Sequence, residues 1–218
     1  MRAGSGSSRA VGVVRSSAGI LTLFALGYAY VAGGAADGFN PFDYFGYFTN
    51  LTSLCTALIL IATGLLRLRD RTVPPWLATA RAASVTCMLI VALVYKVLVP
   101  GTGSAPPWVS FFLHELLPAA LALDWLCIGD PPRLPWRTLW LVLPYPALWV
   151  AVVLVRGATD GWVPYGFLLP SHGAGSIALH LVALFGALIL AGSLVWLASR
   201  FAGFASRGDR PSRGIRTA

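Results

Sequence analysis

Few side chains in the long apolar stretches of this 218-residue sequence can take part in acid–base chemistry. They are Lys96, His114, Glu115, Asp124 and His180, with Arg156 and His172 at the boundaries of such stretches. Placing an ionisable group at the centre of a bilayer costs about 2.5–3.5 kcal/mol on insertion scales. We therefore treat each of these residues as a candidate for function, and the histidines as candidates for proton transfer.

Several polar residues are predicted to share one depth in the membrane. At about 1.5 Å per helical residue, Thr49 lies about 4–5 Å inside its span, and His114 and His180 each lie about 9 Å inside theirs. Lys96 and Arg156 lie at the ends of the third and fifth stretches, which cross the membrane in the opposite direction. These two residues are therefore predicted at nearly the same depth as Thr49 and the histidines. Three tyrosines line the same boundary: Tyr44, Tyr47 and Tyr165. The sequence thus predicts a polar cluster in the outer third of the membrane.

Each of these residues also has a structural interpretation. Lys96 and Arg156 could extend to the lipid headgroups, and the tyrosines could form an interfacial belt. A histidine within a span commonly bonds to a neighbouring helix. Two histidines at one depth, on spans of the same direction, shift the balance towards a site.

A stripe of hydroxyl side chains follows one face of the second apolar stretch. Its members are Thr49, Thr52, Ser53 and Thr56, at the i, i+3, i+4 and i+7 spacing of a helix face. Close helix packing accounts for the last three residues. Thr49 differs because it lies at the mouth of the stripe, level with the histidines.

The fourth apolar stretch contains Pro118 four residues after His114. Because proline has no N–H, the carbonyl of His114 loses its intrahelical partner, and we expect the helix to bend there. Glu115 points about 100° away from His114, and Asp124 lies about 15 Å further along the helix. An orienting partner for His114 is therefore expected from another span. For Asp124 we expect an anchoring role or an ion pair with an arginine of the connector that follows.

The composition excludes a water-soluble protein and a disordered one. The chain is 57% hydrophobic and 11% charged, with a mean hydropathy of +0.74, whereas soluble domains are about 45–50% apolar and about 25% charged. Its three cysteines lie in apolar runs without the spacing of a disulfide framework or a zinc site. No phosphate loop, haem pair or metal cluster is evident in the sequence, so we predict no cofactor.

Six stretches are long and apolar enough to cross a bilayer as helices, which takes about 20 residues each. Their predicted bounds are 17–33, 46–66, 77–99, 108–128, 138–155 and 174–199. We therefore predict an all-α polytopic membrane protein whose single six-helix domain covers 17–199. Basic tails at 1–16 and 200–218 are expected to be disordered. The start of the first stretch also resembles a signal peptide, whose cleavage would leave five spans.

The net charge of +8 is concentrated on one side of the predicted bundle. Fourteen of the 16 basic residues lie in the tails and in the connectors of that side, and only Lys96 and Arg156 lie elsewhere. This bias predicts that both termini are cytoplasmic. The basic side then contacts anionic lipid headgroups and not nucleic acid. An excess of arginine over lysine, with abundant alanine and glycine, indicates a GC-rich bacterial genome and hence a plasma membrane.

An ordered set of short motifs resembles one protein family. The motifs are Tyr47-Phe48-Thr49, Leu113-His114-Glu115-Leu116-Leu117-Pro118, Asp124-Trp125, Tyr145-Pro146, Arg156-Gly157 and Trp162-Val163-Pro164-Tyr165-Gly166-Phe167. The set resembles the bacterial six-span relatives of the androgen-induced and androgen-dependent TFPI-regulating proteins. It runs from about Tyr44 to His180.

The resemblance implies an activity and two catalytic residues. Characterised members of that family are multi-pass hydrolases of fatty acid esters of hydroxy fatty acids, and they use a threonine nucleophile and a histidine. The matching residues are Thr49 and His114, with His114 as general base, acting on a lipid ester near the outer leaflet. Bacterial relatives often have the motif Phe-Thr-x-x-Ser-Asn, which begins at Phe48 in this chain. Its last two positions are Thr52 and Ser53 here, so the final asparagine of the motif is missing.

Five further residues are candidates for lining such a site: Asn50, Ser53, Lys96, Tyr165 and His180. Asn50, Ser53 or Lys96 could donate hydrogen bonds to an oxyanion. His180 could orient His114 or bind substrate.

A non-catalytic interpretation belongs to a different class of protein. The chain would then be a small transporter subunit or a partner-binding scaffold, with Lys96, Glu115 and Arg156 used for packing or anion passage. The oligomeric state cannot be derived from the sequence.

Overall fold

The computed structural model describes residues 3–101, 105–128 and 133–201 of the chain. Within these residues all regular secondary structure is helical, and six helical segments are long and apolar enough to cross a membrane. The prediction of an all-α, multi-pass membrane protein with six spans is therefore confirmed.

The helices follow one another with short connectors. The first half of the chain contains α1 (Ala3–Asp37), α2 (Pro41–Gly46), α3 (Phe48–Leu68), α4 (Pro75–Val97) and α5 (Pro107–Phe111). A π-helical turn (Phe112–Leu116) joins α5 to α6 (Leu117–Ile128), and a 3₁₀ segment (Trp136–Val142) precedes α7 (Pro144–Thr159). Two 3₁₀ turns (Gly166–Leu168 and Pro170–His172) then lead into α8 (Gly173–Ala198).

Proline marks where many of these segments begin. It is the first residue of α2, α4, α5, α7 and the turn before α8. A proline at the first helical position sacrifices no hydrogen bond, because the N–H of that residue has no intrahelical partner, and its fixed φ suits a helix. The prolines that the sequence places in connectors therefore set the helix starts.

The first span differs most from its predicted bounds. Helix α1 begins at Ala3, inside the segment predicted as the tail 1–16. Arg15, which the sequence places beside the span, is 1% exposed within the bundle. Of the predicted tail 200–218, residues from 202 onwards lie outside the described part of the chain.

Helix α1 lies very close to α3. A Cβ atom added at Gly19 would lie 2.7 Å from the carbonyl oxygen of Ala57, and one at Gly12 would lie 2.9 Å from the carbonyl oxygen of Gly64. Small residues allow such an approach of two backbones, which gains van der Waals contact between membrane helices. The α1–α3 pair thus forms a close-packed unit that positions the start of α3.

Helix α4 is the central helix, with contacts to α3, α6 and α8. Its residues Ala82, Val85 and Met88 are almost completely buried. Indole N–H groups add cross-helix bonds, since Trp125 donates to the carbonyl of Val195 at 3.0 Å and Trp149 to that of Gly46 at 2.8 Å.

Asp124 joins three spans through ion pairs. Its carboxylate lies 3.1 Å from Nη2 of Arg15 on α1 and 2.7 Å from Nη2 of Arg81 on α4. The expectation of a partner in the following connector (Arg133 or Arg137) was wrong. A carboxylate inside the bundle cannot be solvated by bulk water, so cations of the neighbouring helices provide its compensation.

The close packing of α1 on α3 gives a matched test with two glycines of the same helix. Gly19→Ala places a methyl group against the α3 backbone, whereas nothing lies within 4 Å of a Cβ atom at Gly27. Both changes raise intrinsic helix propensity equally. We expect Gly19→Ala to be less stable than Gly27→Ala by about 1–3 kcal/mol, as in other overpacked sites.

Both variants would be unfolded in the same detergent, with tryptophan fluorescence as the signal that monitors unfolding. Equal stability of the two variants would contradict the close α1–α3 contact.

Candidate active site

A cavity of about 470 Å³ opens at the end of the bundle that contains Thr49, which we call the site end. Its walls come from all six spans, from α2 and from the segment between α7 and α8. The volume falls within the range of about 300–1,000 Å³ for small-molecule sites. Thr49 and His114, the two residues that the sequence singles out for catalysis, both line this cavity.

Thr49 and His114 lie in direct contact. The hydroxyl oxygen Oγ1 of Thr49 is 3.3 Å from Nε2 of His114. Thr49 is the second residue of α3 and is 8% exposed, while His114 is half-buried in the π-helical turn. Two spans that are 65 residues apart in sequence thus bring a hydroxyl and an imidazole within hydrogen-bond distance.

A backbone carbonyl fixes the orientation of the imidazole. Nδ1 of His114 lies 2.8 Å from the carbonyl oxygen of Ser110. Because a carbonyl oxygen can only accept, Nδ1 must carry the proton in this arrangement. In a neutral imidazole Nε2 is then the acceptor, so the Thr49 hydroxyl donates to it. This is the geometry that a general base requires.

The orienting partner of His114 differs from the expected one. The sequence predicts a partner from another span, since neither Glu115 nor Asp124 can reach the ring. Ser110 lies on the same helix, one turn earlier, and acts through its main chain. Sequence reasoning considered side chains only and therefore missed it.

Tyr95 supports the imidazole from α4. Its ring stacks on that of His114 with centroids 4.0 Å apart and an angle of 19° between the planes. Its hydroxyl accepts a hydrogen bond of 3.1 Å from Oγ of Ser110. The ring of His114 is thus held at one edge by a carbonyl and on one face by an aromatic ring.

The helix that carries His114 is widened where the sequence predicts a bend. The N–H of Leu117 donates to the carbonyl of Phe112, five residues earlier, which defines a π-helical turn. Pro118 follows directly and has no N–H to donate. π-Helical turns are rare and are frequent at functional sites. Here the turn includes His114.

Thr49 lies in the first turn of α3, and Tyr165 lines the same cavity. The helix has no side-chain cap from Tyr47, which precedes it. Burial raises the pKa of Tyr165, while the Thr49 hydroxyl and the backbone N–H groups of Thr49 and Phe48 favour its ionised form and oppose this rise. The wall of the cavity thus includes a tyrosine as well as the uncapped start of α3, to which Thr49 belongs.

The remaining predicted site residues are in different surroundings. Asn50 lines the cavity and donates from Nδ2 to the carbonyl of Tyr44 at 2.9 Å. Ser53 is fully buried against Sδ of Met88. Lys96 pairs with Glu115 at 2.9 Å and is 61% exposed.

His180 does not reach His114. Its Nδ1 bonds to the carbonyl of Ser176 at 2.8 Å, and its ring stacks on Phe167, with centroids 5.6 Å apart. Phe167 in turn stacks on Tyr165. Five described residues were predicted to line the site. Of these, Asn50 and Tyr165 line the cavity, whereas Ser53, Lys96 and His180 do not.

The hydroxyl stripe of α3 has two kinds of member. Thr52 bonds to the hydroxyl of Tyr145 at 2.8 Å, and Thr56 bonds to Oγ of Ser84 at 2.7 Å. These bonds join α3 to α7 and α4, as helix packing predicts. Thr49 is the member whose hydroxyl faces the cavity and an imidazole.

A group of charged residues lies next to the cavity, which Asp43 and Trp162 line. Arg156 Nη2 lies 2.7 Å from Asp43 on α2 and 2.8 Å from Asp160, and its guanidinium lies 4.1 Å from the ring centre of Trp162. The N–H of Trp162 and the Arg156 guanidinium lower the pKa of Asp160. Arg156 thus ties α2 and the segment after α7 together.

No family model, curated protein or solved structure matches this chain. The fold and the site define a multi-pass helical membrane protein with a threonine–histidine pair in a cavity at one end. Within the described residues no group of three or more His, Cys, Asp or Glu side chains could hold a metal ion. The family resemblance of the sequence stays a prediction.

The Ser110 contact predicts the tautomer of His114. We expect the neutral ring to carry its proton on Nδ1, because the carbonyl oxygen can only accept. Nitrogen NMR of protein labelled at histidine would measure this, with His114→Gln to assign the signal. A neutral His114 that is protonated on Nε2 would contradict the proposed acceptor role of that atom.

Proposed function

We propose that this protein is an intramembrane ester hydrolase in which Thr49 is the nucleophile and His114 the general base. The observation that carries the proposal is the 3.3 Å contact between Thr49 Oγ1 and His114 Nε2, with Nδ1 bonded to the Ser110 carbonyl. A free threonine hydroxyl is a weak nucleophile and needs an adjacent base. The pair provides both groups in one cavity.

The reaction would proceed in two steps. Thr49 Oγ attacks the ester carbonyl carbon, its proton passes to His114 Nε2, and the carbonyl oxygen becomes an oxyanion. The intermediate collapses by breaking the bond to the alcohol oxygen, which takes the proton from His114 as it leaves. A water molecule, deprotonated by the same histidine, then attacks the acyl-threonine, which releases the fatty acid and restores Thr49.

We assign oxyanion stabilisation to Tyr165 and to the start of α3. Tyr165 lines the same cavity as Thr49, and the backbone N–H of Thr49 belongs to the residue of the nucleophile itself. The Tyr165 hydroxyl and this N–H are both hydrogen-bond donors, and a helix N-terminus carries partial positive charge. Asn50, Ser53 and Lys96 are weaker candidates, because Asn50 is engaged with Tyr44 and the other two do not line the cavity.

The resemblance to the six-span hydrolase family supports the same assignment, since its Phe-Thr and Leu-His motifs supply Thr49 and His114. We further propose that the site end faces the outer leaflet of a bacterial plasma membrane and that lipid esters enter from that leaflet. The distribution of arginines supports this orientation.

Anion passage is less well supported than catalysis. It would use Lys96 and Arg156, and these side chains form ion pairs with Glu115 and with two aspartates. Neither cation is among the described residues that line the cavity.

The two histidines provide a matched test of the proposed base. His114 and His180 each bond from Nδ1 to the carbonyl four residues earlier, but only His114 contacts Thr49. We expect His114→Gln and Thr49→Ala each to lower ester hydrolysis at least about 10³-fold, the scale seen for nucleophile and base removal. His180→Gln and Thr63→Ala should retain most of the activity.

Purified variants would be assayed with a long-chain ester and by labelling with a fluorophosphonate probe. Full activity or labelling of Thr49→Ala would overturn the assignment of the nucleophile. Unfolding curves of all four variants in one detergent would separate loss of chemistry from loss of fold.

The Tyr165 hydroxyl gives a separate prediction. Removing one oxyanion donor typically lowers kcat by about 10²–10³-fold. We expect Tyr165→Phe to lower kcat on this scale with little change in KM, because the phenyl ring keeps its packing. Tyr47→Phe is the control, since its ring packs 6.0 Å from that of Tyr165. A changed KM with unchanged kcat would contradict the oxyanion role.

A further inference from the structure

Tyr95 on α4 and His114 in the π-helical turn form a stacked pair of rings. Their centres lie 4.0 Å apart, and the two planes are inclined by 19°. The imidazole therefore lies over the face of the tyrosine ring and not at its edge. Both side chains are half-buried, and both residues line the cavity. The ring pair thus belongs to the site and is partly shielded from water.

Further contacts hold the two rings in this arrangement. The hydroxyl of Tyr95 accepts a hydrogen bond of 3.1 Å from Oγ of Ser110, and the carbonyl oxygen of the same Ser110 lies 2.8 Å from Nδ1 of His114. Beside the stack, Lys96 pairs with Glu115 at 2.9 Å. Two consecutive residues of α4 are therefore joined to two consecutive residues of the π-helical turn.

No charged side chain bonds to the imidazole within the described part of the chain. The residues that bond to it or stack on it are Thr49, Ser110 and Tyr95. Glu115 follows His114 in sequence, but its carboxylate is paired with the ammonium group of Lys96. When His114 takes up a proton, a carboxylate bonded to the ring is therefore not the source of its stabilisation.

The face of an aromatic ring offers a cation another kind of stabilisation. It carries partial negative charge and attracts a cation that lies within about 6 Å of the ring centre. A neutral imidazole gains only stacking contact from this geometry, whereas an imidazolium also gains the electrostatic attraction. At a separation of 4.0 Å, the Tyr95 ring thus favours the charged form of His114 over the neutral one.

We infer that Tyr95 is a positioning residue whose ring face stabilises the imidazolium of His114. In the proposed mechanism this charge arises when Nε2 takes the proton of the Thr49 hydroxyl. The attraction is then stronger in the transition state than in the resting protein, and only such interactions accelerate the chemical step. The catalytic part of the inference rests on the proposed function, while the effect of Tyr95 on the charge of His114 follows from the ring pair itself.

Fluorination of the ring tests the electrostatic cause, because fluorine removes negative charge from the ring face and changes the ring size little. The variants are Tyr95→Phe and phenylalanine analogues with one, two and three ring fluorines in place of Tyr95. Histidine-labelled NMR would give the ratio of charged to neutral His114, at the pH where the two forms are equal in Tyr95→Phe. We expect this ratio to fall with each fluorine, by about fivefold in total, which corresponds to about 1 kcal/mol.

The chain offers two matched controls. His180 also bonds from Nδ1 to the carbonyl four residues earlier, but it stacks on Phe167, so its ratio should stay constant throughout the series. The same analogues in place of Tyr30, which lines the cavity and packs on Phe39 and Tyr44, should leave the His114 ratio unchanged. A constant His114 ratio in the Tyr95 series, or an equal fall in the Tyr30 series, would overturn the inference.

Ester hydrolysis by the same variants separates this inference from the proposed function. We expect kcat to fall with each fluorine at Tyr95, in parallel with the NMR ratio, and a constant kcat would overturn the catalytic part of the inference. A constant ratio together with hydrolysis that depends on Thr49 would overturn the inference and leave the esterase proposal standing. A falling ratio without hydrolysis by the unchanged chain would overturn the esterase proposal and leave the effect of Tyr95 on His114 standing.

Discussion

A polar group inside a membrane protein must find its partner in the protein, since hydrocarbon offers none, and the whole structure depends on this constraint. Asp124 shows it most clearly, because its carboxylate is compensated by Arg15 on α1 and Arg81 on α4. The same rule explains the Thr52–Tyr145 bond and the indole bonds of Trp125 and Trp149. Polar residues thus fix which helices are neighbours, while the apolar residues between them mostly supply packing.

The constraint has a different outcome at Thr49. The other hydroxyls of the α3 stripe are used in helix contacts, whereas that of Thr49 meets an imidazole at the edge of a cavity. Two local features produce this contact. Thr49 lies in the first turn of α3, whose position follows from close packing on α1, and His114 lies in a π-helical turn that precedes a proline. The site is therefore built from helix irregularities supported by a rigid pair of spans.

Part of this structure could be predicted from the sequence. Hydropathy predicts the six spans because the length of an apolar run is a local property. The common depth of Thr49 and His114 follows from helix rise and alternating span direction. The partners of Asp124 could not be predicted, because they depend on which faces of distant helices meet. The role of Ser110 was missed for another reason, since any residue type can supply a carbonyl.

The use of a carbonyl has a consequence for the proposed mechanism. In catalytic triads a carboxylate both orients the histidine and stabilises the imidazolium that forms during the reaction. The Ser110 carbonyl orients His114 but brings only a dipole, so the imidazolium must gain stability elsewhere. In the proposed mechanism, the charge that appears at the same moment is that of the oxyanion, whose stabilisation we assign to Tyr165 and the start of α3. Attraction between these two new charges is stronger at a partly buried site than in bulk water. Catalysis in this protein would then depend on holding Thr49, His114 and Tyr165 close together, and the packing of α3 against α1 serves that purpose.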